Sequence, residues 1–139
     1  GCRYKTGAKG SSSFDCSGFV YWCLNQAGVR QGYMTSKSWR SVSKYQKISS
    51  IDNIQKGDII VFRMSSSKGH VGIAMSGSEM VDASSGEGCV VRRSYKTDYW
   101  RKYFYCAEYS NNAQNAPPAR KKGERGVIYT PKKVCDKKL

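Results

Sequence analysis

Cys16 lies in the run Phe14-Asp15-Cys16-Ser17-Gly18-Phe19, and the chain's single histidine, His70, lies in Gly69-His70-Val71-Gly72-Ile73. A thiolate is a potent nucleophile, but a free thiol is mostly protonated near neutrality, so a catalytic cysteine needs an electropositive surrounding and a base. With one histidine in 139 residues, any such chemistry runs through His70. The reaction open to a Cys–His pair is attack on a carbonyl, followed by transfer of the acyl group to water.

Those residues must be held by particular elements. Phe19, Val20, Trp22, Cys23, Leu24 and Ala27 supply a broad apolar face that ends at Gly28. This pattern predicts a helix from about Cys16 to Ala27, with Ser13 or Asp15 as its cap and Gly28 as its stop. Cys16 then falls in the first turn, where unpaired N–H groups and the helix dipole stabilise an anion. A second helix is expected from Thr35 to about Tyr45, on the strength of Trp39 and Val42.

From Ile59 onward the pattern changes to short β-rich runs at 59–62, 70–75, 80–83, 89–92 and 103–109, separated by Gly- and Ser-rich turns. Helices followed by an antiparallel meander make an α+β arrangement. Within the His70 run, alternation points His70, Gly72 and Ala74 one way and Val71, Ile73 and Met75 the other. The Ser76-Gly77-Ser78 turn reverses the chain into Met80-Val81-Asp82-Ala83 and brings Asp82 toward the His70 end of the preceding strand. A carboxylate beside an imidazole fixes its tautomer and stabilises the imidazolium.

The length fits one domain, and no run of 18 apolar residues spans a membrane. The chain opens on Gly1 rather than Met, which points to a processed form or an excised domain, so that any export signal or partner domain would lie outside it. Six cysteines are compatible with three disulfides, but their spacing follows no compact framework, and without a CxxC pair or a second histidine no structural metal is expected. The formal charge is +14, and it is uneven: residues 1–109 carry 16 basic against 8 acidic side chains, while residues 110–139 carry 8 against 2. After Ser110 the composition shifts to an Asn- and Pro-containing stretch and then Arg120-Lys121-Lys122, so residues 111–139 read as a basic linker or extension, with Val127-Ile128-Tyr129 as a candidate edge strand.

Taken together, Tyr4, Gly7, Asp15-Cys16-Ser17-Gly18-Phe19-Val20, Gly57-Asp58 and Gly69-His70-Val71-Gly72-Ile73 resemble the NlpC-type family of papain-like cysteine peptidases. The resemblance covers about residues 1–109, and the order of cysteine before histidine matches the unpermuted members. It implies a papain-like core of N-terminal helices packed on an antiparallel sheet of about five strands, in a domain spanning 1–110. It further implies a secreted or wall-associated enzyme that needs no cofactor and cleaves peptidoglycan stem peptides, commonly at the γ-D-glutamyl bond to a diamino acid.

Carried over by position, Cys16 is the nucleophile, His70 the base and Asp82 the third polar residue, where many members have histidine. Tyr4 corresponds to a tyrosine beside the nucleophile that helps hold the oxyanion or the substrate. Asp15 and Ser17 correspond to substrate contacts, although Asp15 also reads as a plain helix cap. The Cys16 N–H, at the helix start, is the expected first oxyanion donor.

Other readings share these residues. An N-acetylmuramoyl-L-alanine amidase or a cross-bridge endopeptidase would use the same cysteine and histidine, since specificity lives in the surrounding loops. A non-catalytic wall-binding module would use the positive charge alone, and anionic wall polymers are natural partners for it in either case. The stretch from Arg92 to Tyr103 interleaves basic and aromatic residues as single-stranded nucleic acid binders do, but it equally fits the edge of a peptidase core, so nucleic acid is disfavoured. A monomer is expected.

Overall fold

The computed structural model describes residues 2–10 and 13–109. In chain order the elements are β1 (Arg3–Tyr4), β2 (Lys9–Gly10), β3 (Ser13–Phe14), α1 (Cys16–Gln26), β4 (Gln46–Ile48), β5 (Ile59–Arg63), β6 (Gly69–Ala74), β7 (Glu79–Ser84), β8 (Cys89–Ser94), α2 (Asp98–Tyr103) and β9 (Phe104–Tyr109). The strands form one sheet in the order β2-β3-β1-β8-β7-β6-β5-β9-β4. The β1–β3 pair is parallel and the other pairs are antiparallel.

Among the described residues the sheet therefore has nine strands rather than the five expected. The five predicted strands are all present as β5 to β9 and form its long central part. The four unforeseen ones are two or three residues long, with sequences such as Lys-Gly and Gln-Lys-Ile that carry no alternation to detect. They are recruited by pairing with their neighbours. The helix expected over Thr35–Tyr45 shrinks to a single 3₁₀ turn at Ser38–Ser41, whose Trp39 is buried. One apolar anchor does not make a helical stripe, and the serines of this stretch compete for backbone hydrogen bonds. The candidate edge strand at Val127–Tyr129 lies outside the described residues.

The period-two alternation splits the core between the two faces of the sheet. On one face Ile59, Val61, Val71, Ile73, Val81 and Ala83 pack with Phe19, Val20, Cys23 and Leu24 of α1. On the other, Ile60, Phe62, Ala74 and Met80 pack with Trp100 of α2 and with Ile48, Ile51 and Ile54. Each of Phe19 and Leu24, fully buried, contributes roughly 2 kcal/mol of transfer free energy. A bulge between Val61 and Phe62 sets Phe62 opposite Phe104. The Phe62 ring then lies 4.6 Å, centre to centre, from Trp100. Among the described cysteines Cys16, Cys23 and Cys106 are free thiols, whereas Cys89 is held in a disulfide that the spacing did not foretell. Among the described residues no helix is long and apolar enough to cross a membrane.

Candidate active site

α1 begins where the sequence predicted, and Asp15 is its cap. Asp15 Oδ1 accepts from the Gly18 N–H at 2.7 Å, and Oδ2 accepts from the Gly7 N–H at 2.9 Å. One carboxylate thus ties the helix start to the preceding turn, where Gly7 has φ of +79°. The approach is close: a Cβ at Gly18 would fall 2.0 Å from the Ala8 carbonyl oxygen, so no other residue fits there without moving backbone. The cap engages the Gly18 N–H and leaves that of Cys16, at the first helical position, outside this bond.

His70 comes from the start of β6 and belongs, by alternation, to the Trp100 face, while Cys16 arrives from the helix on the opposite face. They meet at the Gly69 end of β6, in a cavity of about 830 Å³ that both residues line. The β6–β7 register pairs Ile73 with Val81 and Ala74 with Met80. Continuing it places Asp82 across from Gly72, on the diagonal from His70. A Cβ at Gly72 would lie 3.2 Å from the Asp82 Cβ, so the second glycine of the Gly-His-Val-Gly run clears the path between the two side chains. Asp82 Oδ2 then meets His70 Nε2 at 2.7 Å. The Asp82 side chain is fully buried and the His70 ring is 13% exposed.

Electrostatics at the ring follow from these contacts. Burial alone lowers the His70 pKa. The hydrogen bonds and charges of Asp82 and Cys16 outweigh it and raise the pKa from 6.5 to about 9. Burial pushes Asp82 the opposite way from its partners, and His70 together with Arg93 holds its carboxyl below the usual range. With Nε2 turned to Asp82, Nδ1 is the ring nitrogen left for the thiol. This is the arrangement in which an imidazole takes a proton from a thiol and later gives it to a leaving group.

The remaining sequence candidates are nearby. Tyr4, Asp15 and Ser17 all line the same cavity. Burial, with the neighbouring Cys16, Asp15 and Tyr33, raises the Tyr4 pKa, so its hydroxyl stays a proton donor. Asp15 makes the capping bond weighed from the sequence through Oδ1, while Oδ2 holds the Gly7 N–H. The Ser17 hydroxyl is 2.8 Å from that of Tyr33.

Two residues were missed as parts of the site. Arg93 of β8 hydrogen-bonds both carboxylate oxygens of Asp82. Trp100 stacks on His70, with ring centres 5.4 Å apart and planes at 29°. Both lay in the basic and aromatic stretch weighed for nucleic acid. The capping signature of Thr97, whose hydroxyl accepts from the Trp100 N–H, with Asp98 in the first turn and Arg101 and Lys102 in the last, was the available signal for α2.

Comparison with known proteins identifies the family of the chain. The model of the NlpC/P60 family matches residues 1–109. The chain is 39% identical over 85 residues to the "Probable endopeptidase p60" of Listeria grayi, covering 60% of this chain and 16% of that protein. It is 32% identical over 108 residues to the "Murein DD-endopeptidase MepS/Murein LD-carboxypeptidase" of Escherichia coli (strain K12), covering 75% of this chain and 53% of that one. The chain thus spans about half the length, or less, of these relatives. Among solved structures, NlpC1 from Trichomonas vaginalis superposes with a TM-score of 0.65 at 27% identity, over 77% of this chain and 38% of that one. A thiol at a capped helix start, a histidine on the facing strand and a family match over both motifs lead to one assignment: the chain belongs to the NlpC/P60 family.

Proposed function

We propose that this chain is a cysteine peptidase that hydrolyses peptidoglycan stem peptides at the γ-D-glutamyl bond to the diamino acid. The observation that carries the reading is that Cys16 and His70 line one cavity while the buried Asp82 carboxylate holds His70 Nε2 at 2.7 Å. Cys16 attacks the scissile carbonyl as a thiolate, with its own backbone N–H as a first donor to the developing oxyanion. The His70 imidazolium gives its proton to the departing amine, leaving a thioester. Neutral His70 then takes a proton from water, which attacks the thioester and frees the acid. Asp82 holds Nε2 and stabilises the imidazolium throughout. No step calls for a cofactor.

The choice of bond rests on the family resemblance, and the name of the E. coli relative carries two peptidoglycan activities of its own. Mass spectrometry of the fragments released from a defined stem peptide decides it. The expected products are L-alanyl-D-glutamate, with its new γ-carboxyl free, and a peptide that begins with the diamino acid. Cleavage between stem and glycan, or within a cross-bridge, would instead make the chain an amidase or a cross-bridge endopeptidase working through the same residues. The site of action in this reading is the wall outside the cell membrane.

A further inference from the structure

The chemistry proposed above uses Cys16, His70 and Asp82, and it leaves a buried cation beside them without a part. The Arg93 side chain is only 10% exposed. Burying a guanidinium is costly unless its partners are well placed. Arg93 Nε donates to Asp82 Oδ1 at 3.0 Å, and Nη2 donates to Oδ2, the oxygen that also meets His70 Nε2. The guanidinium carbon lies 4.8 Å from the centre of the Trp100 ring, on the same indole that stacks with His70.

Strand register explains how three side chains converge. Val91 of β8 pairs with Asp82, so Arg93 stands two residues further along the same face, on the diagonal that a long side chain spans. We infer that Arg93, seated on Trp100, is a positioning residue that acts through Asp82 to aim His70 and to set the pH range in which it works. This inference rests on the Cys16–His70 reading of the site.

A carboxylate held by histidine alone can rotate about its last bond, whereas the two-pronged guanidinium fixes the plane of both oxygens and so the direction of the bond to Nε2. The arginine charge also offsets that of Asp82. Without it the buried carboxylate would act on His70 undiluted, and the ring would keep its proton to higher pH. The titratable and charged groups that touch the ring or its partner are Cys16 from α1, Asp82 from β7 and Arg93 from β8. Along the same cavity the other titratable groups are Tyr4, Asp15, Tyr33, Lys68 and Tyr99.

A single histidine makes the test direct, because every imidazole NMR signal of the full chain is His70. The ring is titrated in the wild type, Arg93→Gln and Arg93→Lys, and each is assayed on stem peptide across pH. Arg93→Gln is expected to move the His70 midpoint up by about one pH unit. Its kcat is expected to fall at least about tenfold, with KM little changed. Arg93→Lys keeps the charge but not the fork, so its midpoint stays near that of the wild type while kcat is intermediate.

A wild-type midpoint and wild-type kcat in a folded Arg93→Gln protein overturn the inference. If that variant does not fold, Arg93→Lys decides, and an unchanged kcat overturns it. Cys16→Ala is assayed alongside. Activity surviving there removes the site reading, while the His70 midpoint of the arginine variants still reports on Arg93 alone.

Discussion

At the scale of single residues, the third polar position of the site determines how the histidine behaves. A carboxylate there, rather than the histidine many family members carry, places a full negative charge against a buried ring, and Cys16 adds to its effect. The consequence is a His70 pKa raised to about 9. Replacing Asp82 with asparagine removes the main partner opposing burial, so the His70 midpoint is expected to fall well below the wild-type value, and Cys16→Ala should lower it by a smaller step. The same shift bears on stability. Because the folded pKa lies above the unfolded value of 6.5, the contribution of the charged ring is complete below about pH 6.5 and is lost as pH rises through about 9. The difference corresponds to something on the order of 3 kcal/mol. Urea unfolding between pH 6 and 10 checks it: the midpoint should decline over this range in the wild type and much less in Asp82→Asn. Cys16 and His70 were legible as a pair because the chain has one histidine and their two motifs are specific together. Arg93 was not, since its role depends on a cross-strand diagonal that only register defines.

At the scale of elements, the site depends on how closely α1 is drawn onto the turn before it. Asp15 caps the helix and grips Gly7, and Gly18 lets the Ala8 carbonyl lie against the first turn. Gly18→Ala is expected to force the helix start away from that carbonyl, lowering stability by roughly 1–3 kcal/mol. It should reduce kcat more than the stability loss explains, because Cys16 moves with the first turn. Thermal melts and assays at a temperature where the variant is fully folded separate the two effects. α1 and strands β5 to β9 could be read from sequence because caps and alternation act locally. The strands at 3–4, 9–10, 13–14 and 46–48 could not, because strands this short are stabilised by their neighbours rather than by their own pattern. α2 has six residues, too few for a helical period, and its caps were the signal passed over.

At the scale of the whole molecule, the charge of +14 is shared between residues 1–109 and residues 110–139, which are more basic per residue. The family match ends at residue 109, so the basic segment from 110 onward lies outside it. Long-range attraction to anionic wall polymers would concentrate the enzyme on its substrate without altering its chemistry. Neutralising Arg120, Lys121, Lys122 and Arg125 to glutamine should therefore weaken sedimentation with isolated walls, most clearly at low salt, and leave turnover of a small stem peptide unchanged. Equal sedimentation of both proteins would count against the tail as a wall anchor.

The central claim is covalent catalysis by Cys16, and rapid quenching of the enzyme with a defined stem peptide, followed by intact-protein mass spectrometry, tests it most directly. The expected result is a transient mass increase equal to the acyl half of the substrate, mapped to the peptide containing Cys16, and its absence together with all turnover in Cys16→Ala. Continued hydrolysis by Cys16→Ala, or an acyl group carried on any other residue, would contradict the account.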